Sequence, residues 1–165
     1  MKVMGVAGWS NSGKTTLLEQ VLPRIVAARV SVSMIKHAHH LFDVDKPGKD
    51  SYRHRHAGAM EVMISSENRW ALMHELRGEP EPGLDALLAK MSAVDLVLVE
   101  GFKRYEQPKI EVYRKENAKP RLHLDDPNIV AIAADVRFDT ALPQFDLNDI
   151  AGVADFILRF NGFKK

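Results

Sequence analysis

The chain has 165 residues, 45% of them hydrophobic and 27% charged, with a formal net charge of +1. That is the size of one ordinary domain with enough apolar side chains for a core, and so even a charge balance gives no global attraction to nucleic acid or to a membrane surface. The absence of cysteine excludes disulfides, thiolate metal sites, iron–sulfur clusters and a cysteine nucleophile. It also suits a reducing compartment. The opening stretch is too short in apolar length for a signal peptide, and no apolar run approaches the roughly 20 residues of a bilayer span. A cytoplasmic protein is expected.

In chain order, "KVMGVAGW" (2–9) is short, apolar and ends in glycine and tryptophan, the pattern of a strand buried in a parallel sheet. "KTTLLEQVLPRIVAAR" (14–29) places Leu17, Leu18, Val21, Leu22, Ile25 and Val26 at helical spacing, with Pro23 expected to kink the helix or cost stability. "VSVSMIKH" (30–37) alternates as a strand, which completes a βαβ unit. The polar stretch 37–58 reads as an irregular loop running into a helix from about Asp50, with Asp50 or Ser51 as its N-cap. "MEVMISS" and "RWALMHEL" read as strands joined at "ENR" in a hairpin. After a Gly/Pro-rich break, "LDALLAKM" (84–91) is a short amphipathic helix. "VDLVLVEGF" and "PKIEVYRK" are strands, "NAKPRLHLDDPN" (117–128) is a loop, "IVAIAAD" (129–135) is a last core strand, and "DIAGVADFILRFNG" is a closing helix with Gly162 near its end. Alternating strands and helices predict an α/β fold with a mainly parallel sheet flanked by helices and an antiparallel hairpin extension, one nucleotide-binding domain over residues 1–165.

Residues 8–15 read G-x-x-x-x-G-K-T between a predicted strand and a predicted helix, which is the context a phosphate-binding P-loop requires. The chemistry needs each part. Gly13 lets the backbone N–H groups approach a phosphate chain, and the following helix adds the positive end of its dipole. The Lys14 ammonium reaches the β- and γ-phosphates, and the Thr15 hydroxyl can bind Mg²⁺. Trp9 is read as a packing residue for the outer face of the loop. Such a site also needs an acid at the end of a neighbouring strand, and "LVLVEG" supplies Glu100.

A third cluster lies in "IKHAHHLFDVDKPGKDS". Lys36 ends a strand expected to run parallel to the P-loop strand and is a candidate phosphate contact. Asp43 and Asp45 are candidates for Mg²⁺ or its water. His37, His39 and His40 invite a transition-metal reading, against phosphate-facing donors or solvated loop residues. Two motifs are missing: no N-K-x-D reads the base, and Glu100–Gly101 stands where D-x-x-G is expected. Phosphoryl transfer depends on positioning and charge, so slow hydrolysis is expected.

Together with "RWALM" and "VDLVLVEGFKRYEQPKIEV", the segments "GWSNSGKTTLLEQVLP" and "IKHAHHLFDVDKPGKDSYRHRHAGA" resemble the MobB family, molybdopterin-guanine dinucleotide biosynthesis protein B. The resemblance runs through nearly the whole chain. It implies a P-loop GTPase-like fold that works as a homodimer, GTP binding with Mg²⁺, and weak GTPase activity. The implied role is an adapter that assists a MobA-type guanylyltransferase in attaching GMP to molybdopterin. Carried onto this chain, the nucleotide falls to Gly8, Trp9, Ser10, Asn11, Ser12, Gly13, Lys14, Thr15 and Thr16. The strand-end acid is Glu100, and the switch-like loop is Asp43, Asp45 and Lys49. Lys14 and Glu100 carry any hydrolysis; Thr15, Asp43, Asp45 and Glu100 are the metal set. Leu41 departs from the family pattern, in which an acid often follows the paired histidines. By fold analogy Asp135 would accept from the guanine N–H groups, and strand edges in "EVMISSENRWALM" would suit subunit pairing. Two other classes share these motifs: a small-molecule kinase, for which Arg53 and Arg55 would serve in a lid, and a nickel metallochaperone GTPase using the histidines.

Overall fold

The computed structural model describes residues 1–38 and 42–164. In chain order it contains β1 (Lys2–Ala7), α1 (Lys14–Ala27), β2 (Val32–Lys36), α2 (Asp50–His56), β3 (Glu61–Ser65), β4 (Trp70–His74), α3 (Leu84–Leu88), β5 (Leu96–Glu100), β6 (Lys109–Tyr113), β7 (Ile129–Ala134), β8 (Gln144–Asp146) and α4 (Ile150–Phe160). These fall into two compact units, residues 1–37 with 91–164 and residues 38–90.

The first unit is an α/β layer, as expected. Its six strands run in the order β2-β5-β1-β6-β7-β8, and every pairing is parallel. β1 and β2 do not touch: β5 lies between them. β5 is buried along its whole length, which is why it reads as an unbroken apolar run. Both long helices cover one face of the sheet. Leu17, Leu18, Val21 and Ile25 of α1 and Val153, Ala154, Ile157 and Leu158 of α4 pack over Met4, Val6, Leu98 and Ile110. Each buried aliphatic is worth roughly 1.5–3 kcal/mol. The four from α1 therefore outweigh the ~3 kcal/mol cost of a proline inside a helix, and α1 continues through an exposed Pro23 to Ala27. Val26, placed on the buried stripe by spacing, is instead 57% exposed. α4 is capped by Asp149, whose carboxylate accepts from Gly152 N–H at 2.9 Å, and Gly162 follows its end at φ 80°.

The other face of the sheet is covered without a long helix. Leu122, Phe138 and Leu142 pack over Ala7, Ile132 and Ala134. Two charged residues of β6 are buried here. Lys109 is 0% exposed and donates to Asp126 at 2.9 Å. Glu111, 1% exposed, accepts from the N–H groups of Leu122 and His123 at 2.7 and 3.0 Å and bonds the His123 ring at 2.5 Å. Gly5 leaves room for this arrangement, since a Cβ there would lie 2.7 Å from Lys109 Cγ.

The second unit carries α2, the β3–β4 hairpin and α3. The hairpin forms a two-stranded antiparallel sheet with Val62 opposite Met73 and Met63 opposite Leu72, and its turn is closed by Ser66 N–H on Arg69 O.

Three expectations are corrected. α2 begins at Asp50 as expected, but neither Asp50 nor Ser51 is its N-cap: extended Lys49 holds that position and Asp50 is helical, where its carboxylate meets the positive end of the helix dipole instead of capping it. "IVAIAAD" is not the last strand, because β8 adds an edge strand of three residues, too short for alternation to show. The 117–128 segment contains a 3-10 turn at Leu122–Leu124, formed where Glu111 gathers its N–H groups.

Glu111→Ala strands those buried donors. It is expected to lower stability by about 2–4 kcal/mol, with Glu111→Gln milder, read as a shift of the urea midpoint at unchanged slope.

Candidate functional site

The loop from Gly8 to Lys14 leaves the C-terminal end of β1 and enters α1. Three of its residues take positive φ, Gly8 at 157°, Asn11 at 63° and Gly13 at 95°, values that asparagine and glycine adopt at least cost. Gly8 is required by space: a Cβ there would overlap the carbonyl oxygen of Val112 and come within 2.7 Å of Ser12 Oγ. Strands on both sides tether the loop. From the β6 side, Asn117 Nδ2 donates to Ser10 O at 3.2 Å. The Trp9 indole N–H donates to Pro120 O at 2.8 Å, and its ring lies under the Lys103 ammonium at 4.1 Å.

On the other side, β5 pairs with both β1 and β2, with Glu100 in register with Val6 and Lys36. Glu100, 8% exposed, therefore points its carboxylate at the start of α1. Thr15 Oγ1 donates to Glu100 Oε1 at 3.3 Å, and Lys36 Nζ stands 3.6 Å from the same oxygen. Lys14 Nζ folds back onto Trp9 O at 2.8 Å. The chain turns sharply straight after Glu100, with Gly101 at φ 96° and the buried Phe102 at 46°. A bulky residue in that region carries roughly 1–3 kcal/mol of strain. A Cβ on Gly101 would stand 2.9 Å from His37 Cβ, and the His37 ring packs on Phe102 at 4.6 Å. This turn brings Lys103 back over Trp9.

The electrostatics are one-sided. Burial lowers the pKa of Lys14; Glu100 opposes that, while Lys103 and Lys36 push the same way. Burial lowers Lys103 too. These ammonium groups are short of negative charge: among the described residues, the carboxylate that faces Lys14 and Lys36 is Glu100 alone. A polyphosphate is the anion such a loop fits: backbone turned inward, a helix N-terminus, and lysines without enough counter-charge. The hard oxygens of Thr15 and Glu100 fit Mg²⁺.

The sequence-predicted residues divide accordingly. Gly8, Trp9, Ser10, Asn11, Ser12, Gly13, Lys14, Thr15, Thr16, Lys36 and Glu100 gather at the loop or open α1 beside it. Asp135, after β7, accepts from Lys115 N–H at 2.8 Å through one carboxylate oxygen, and Asn117 links the same turn to the loop. Asp43, Asp45 and Lys49 belong to the second unit. There Arg55 binds both aspartates, at 2.5 and 2.6 Å, and Glu75 at 2.9 Å, and these three carboxylates, Glu75 first, raise its pKa. Arg53 stands 3.8 Å from Asp50, and Lys49 is exposed at the head of α2. His39, His40 and Leu41 lie outside the described residues, and among the described residues no group of three or more His, Asp or Glu is arranged to hold a metal. No described helix is long and apolar enough to cross a membrane. No local sequence pattern marks Lys103, Arg114 and Asn117 as loop partners. They stand about a hundred residues from the loop motif, and only the sheet brings them to it.

Residues 3–135 match the family model MobB, Molybdopterin guanine dinucleotide synthesis protein B. The chain is 42% identical to the molybdopterin-guanine dinucleotide biosynthesis adapter protein of Escherichia coli K12, over 96% of this chain and 92% of that protein. It is also 42% identical to the one of Haemophilus influenzae, over 94% and 86%. Among solved structures, the crystal structure of molybdopterin-guanine biosynthesis protein B (mobB) superposes with a TM-score of 0.78 at 27% identity, covering 96% of this chain and 98% of that one. A MobB homolog from Bacillus stearothermophilus gives 0.75 at 27% identity, with 98% of each chain covered.

Because an anion favours the charged form of Lys14 and Lys103, binding of a nucleoside triphosphate is expected to take up protons. The uptake should grow as pH rises toward their lowered values. Calorimetric titration in buffers of different ionisation enthalpy measures it, and Lys103→Met should reduce it.

Proposed function

The chain belongs to the MobB family and is an adapter of molybdopterin guanine dinucleotide biosynthesis; on that premise we propose that it binds GTP with Mg²⁺ at the Gly8–Thr16 loop, hydrolyses it slowly, and assists a MobA-type guanylyltransferase that joins GMP to molybdopterin. The observation that carries this reading is the convergence of Thr15 and Lys36 on one oxygen of Glu100 beside the loop.

In this reading the loop N–H groups and the α1 N-terminus hold the phosphates. Lys14, which bonds the Trp9 carbonyl in the free loop, and Lys36, beside Glu100, are within reach of those phosphates, and a bound Mg²⁺ would supply charge neutralisation there. Thr15 and Glu100 would hold that ion. Asp135 keeps one oxygen for Lys115 N–H and offers the other to guanine N1–H and N2–H. Hydrolysis is slow because Glu100–Gly101 replaces the step that usually orients the attacking water. Partner binding and homodimer formation draw support from the hairpin: Met63, Trp70 and Leu72 share one of its faces and are 61%, 64% and 45% exposed. The cytoplasm, where molybdopterin and GTP would meet the enzyme, is the proposed compartment.

Titration of the purified chain with GTP, GDP and ATP in Mg²⁺ tests this. GTP is expected to bind more tightly than ATP, and Lys14→Ala to abolish binding; equal or tighter ATP binding would overturn the guanine assignment. Asp135→Asn should turn preference from GTP toward XTP, because the amide offers a donor to the xanthine 2-oxo group.

A further inference from the structure

We propose that Arg114 is a phosphate ligand of the bound nucleotide, a cation delivered from the end of β6 that the loop motif itself does not contain. The inference rests on reading the Gly8–Thr16 loop as the GTP site. Arg114 is the first residue after β6, the strand that pairs with β1 on the side away from Glu100. Its Nη2 lies 3.4 Å from where a Cβ on Gly13 would stand, next to the N-cap of α1.

The backbone there is held. Tyr113 pairs with Ala134, and Arg114 O accepts from Asn117 N–H at 3.1 Å, while Asn117 also tethers Ser10. The guanidinium is thus placed by the sheet and the loop together.

It is also unsatisfied. Among the described residues, Arg114 is half-buried and its side chain makes no hydrogen bond, ion pair or ring contact. Arg55, Arg77, Arg121 and Arg137 each have such a partner. A guanidinium that gives up water without a counter-charge is costly, more so beside the positive end of a helix. A phosphate would repay this, because the planar fork of N–H donors matches its oxygens in a two-point contact. Lys14 and Lys36 approach from the α1 and β5 side, and Arg114 approaches from the β6 side.

The test compares Arg114→Met, which keeps the apolar stem, with Arg114→Lys. GTP titration with Mg²⁺, competition by inorganic tripolyphosphate, and melting of the nucleotide-free protein are measured for each. Expected are a roughly 10- to 100-fold weaker affinity of Arg114→Met for both GTP and tripolyphosphate, partial recovery in Arg114→Lys, and an unchanged or higher melting temperature without nucleotide. Unchanged GTP affinity in Arg114→Met overturns the proposal. So does a loss for GTP but not for tripolyphosphate, since the contact would then be to base or ribose. A fall in affinity and melting temperature together also overturns it, because Arg114 would then be structural. If wild type fails to bind GTP, or Lys14→Ala binds as well as wild type, the loop reading itself fails.

Discussion

Pairing of β5 with β1 sets Glu100 in register with Val6, at the level where β1 runs out into the Gly8–Lys14 loop. The carboxylate then has one place to go, the first turn of α1, where it meets Thr15. The register of β2 on the other side of β5 adds Lys36 to the same oxygen. The tight turn after Glu100, with Gly101 and Phe102 both at positive φ, carries Lys103 over Trp9. The acid, the hydroxyl and two of the lysines are therefore consequences of one ladder of backbone hydrogen bonds. Strand register is hard to shift in a sheet buried on both faces, so the site inherits that rigidity.

The other wall has a different origin. β6 carries Lys109 and Glu111 on a face where an apolar pair would pack without help. Instead, Glu111 accepts from Leu122 and His123, and Lys109 donates to Asp126. Breaking such buried bonds is costly, although the intact pairs add little net stability. What they supply is definition. They pin the segment after β6 over the sheet, and that segment holds Pro120, Asn117 and Arg114 against the loop. A long helix would have covered the face at less electrostatic cost, but it would not have carried these three residues to the phosphate end of β1.

The second unit is organised around one cation. Arg55 gathers Asp43, Asp45 and Glu75, with Asp45 3% exposed at its side chain. A guanidinium shared by three carboxylates neither titrates nor migrates readily, so it ties Asp43, Asp45 and Glu75 to α2. The hairpin beside it is opposite in character: it leaves Met63, Trp70 and Leu72 exposed on one face, a cluster that a free-standing domain usually buries.

The sequence by itself determined the strands, the helices, the loop motif and the acid at the end of β5, because each is a local pattern: an apolar run, a 3.6-residue spacing, or glycines at fixed offsets. It determined the family as well, since the "DVDKPGKDS" and "VEGFK" segments are distinctive in themselves. It misjudged the N-cap of α2 and left out β8, where one residue or three decide the outcome and no period can form. Tertiary structure alone decided that β5 would separate β1 from β2, that Asp43 and Asp45 would be bound by Arg55, and that Arg114, Asn117 and Lys103 would stand at the loop. Those contacts join residues far apart in the chain, and what brings them together is strand order and register, which the hydrophobic pattern of any one segment does not encode.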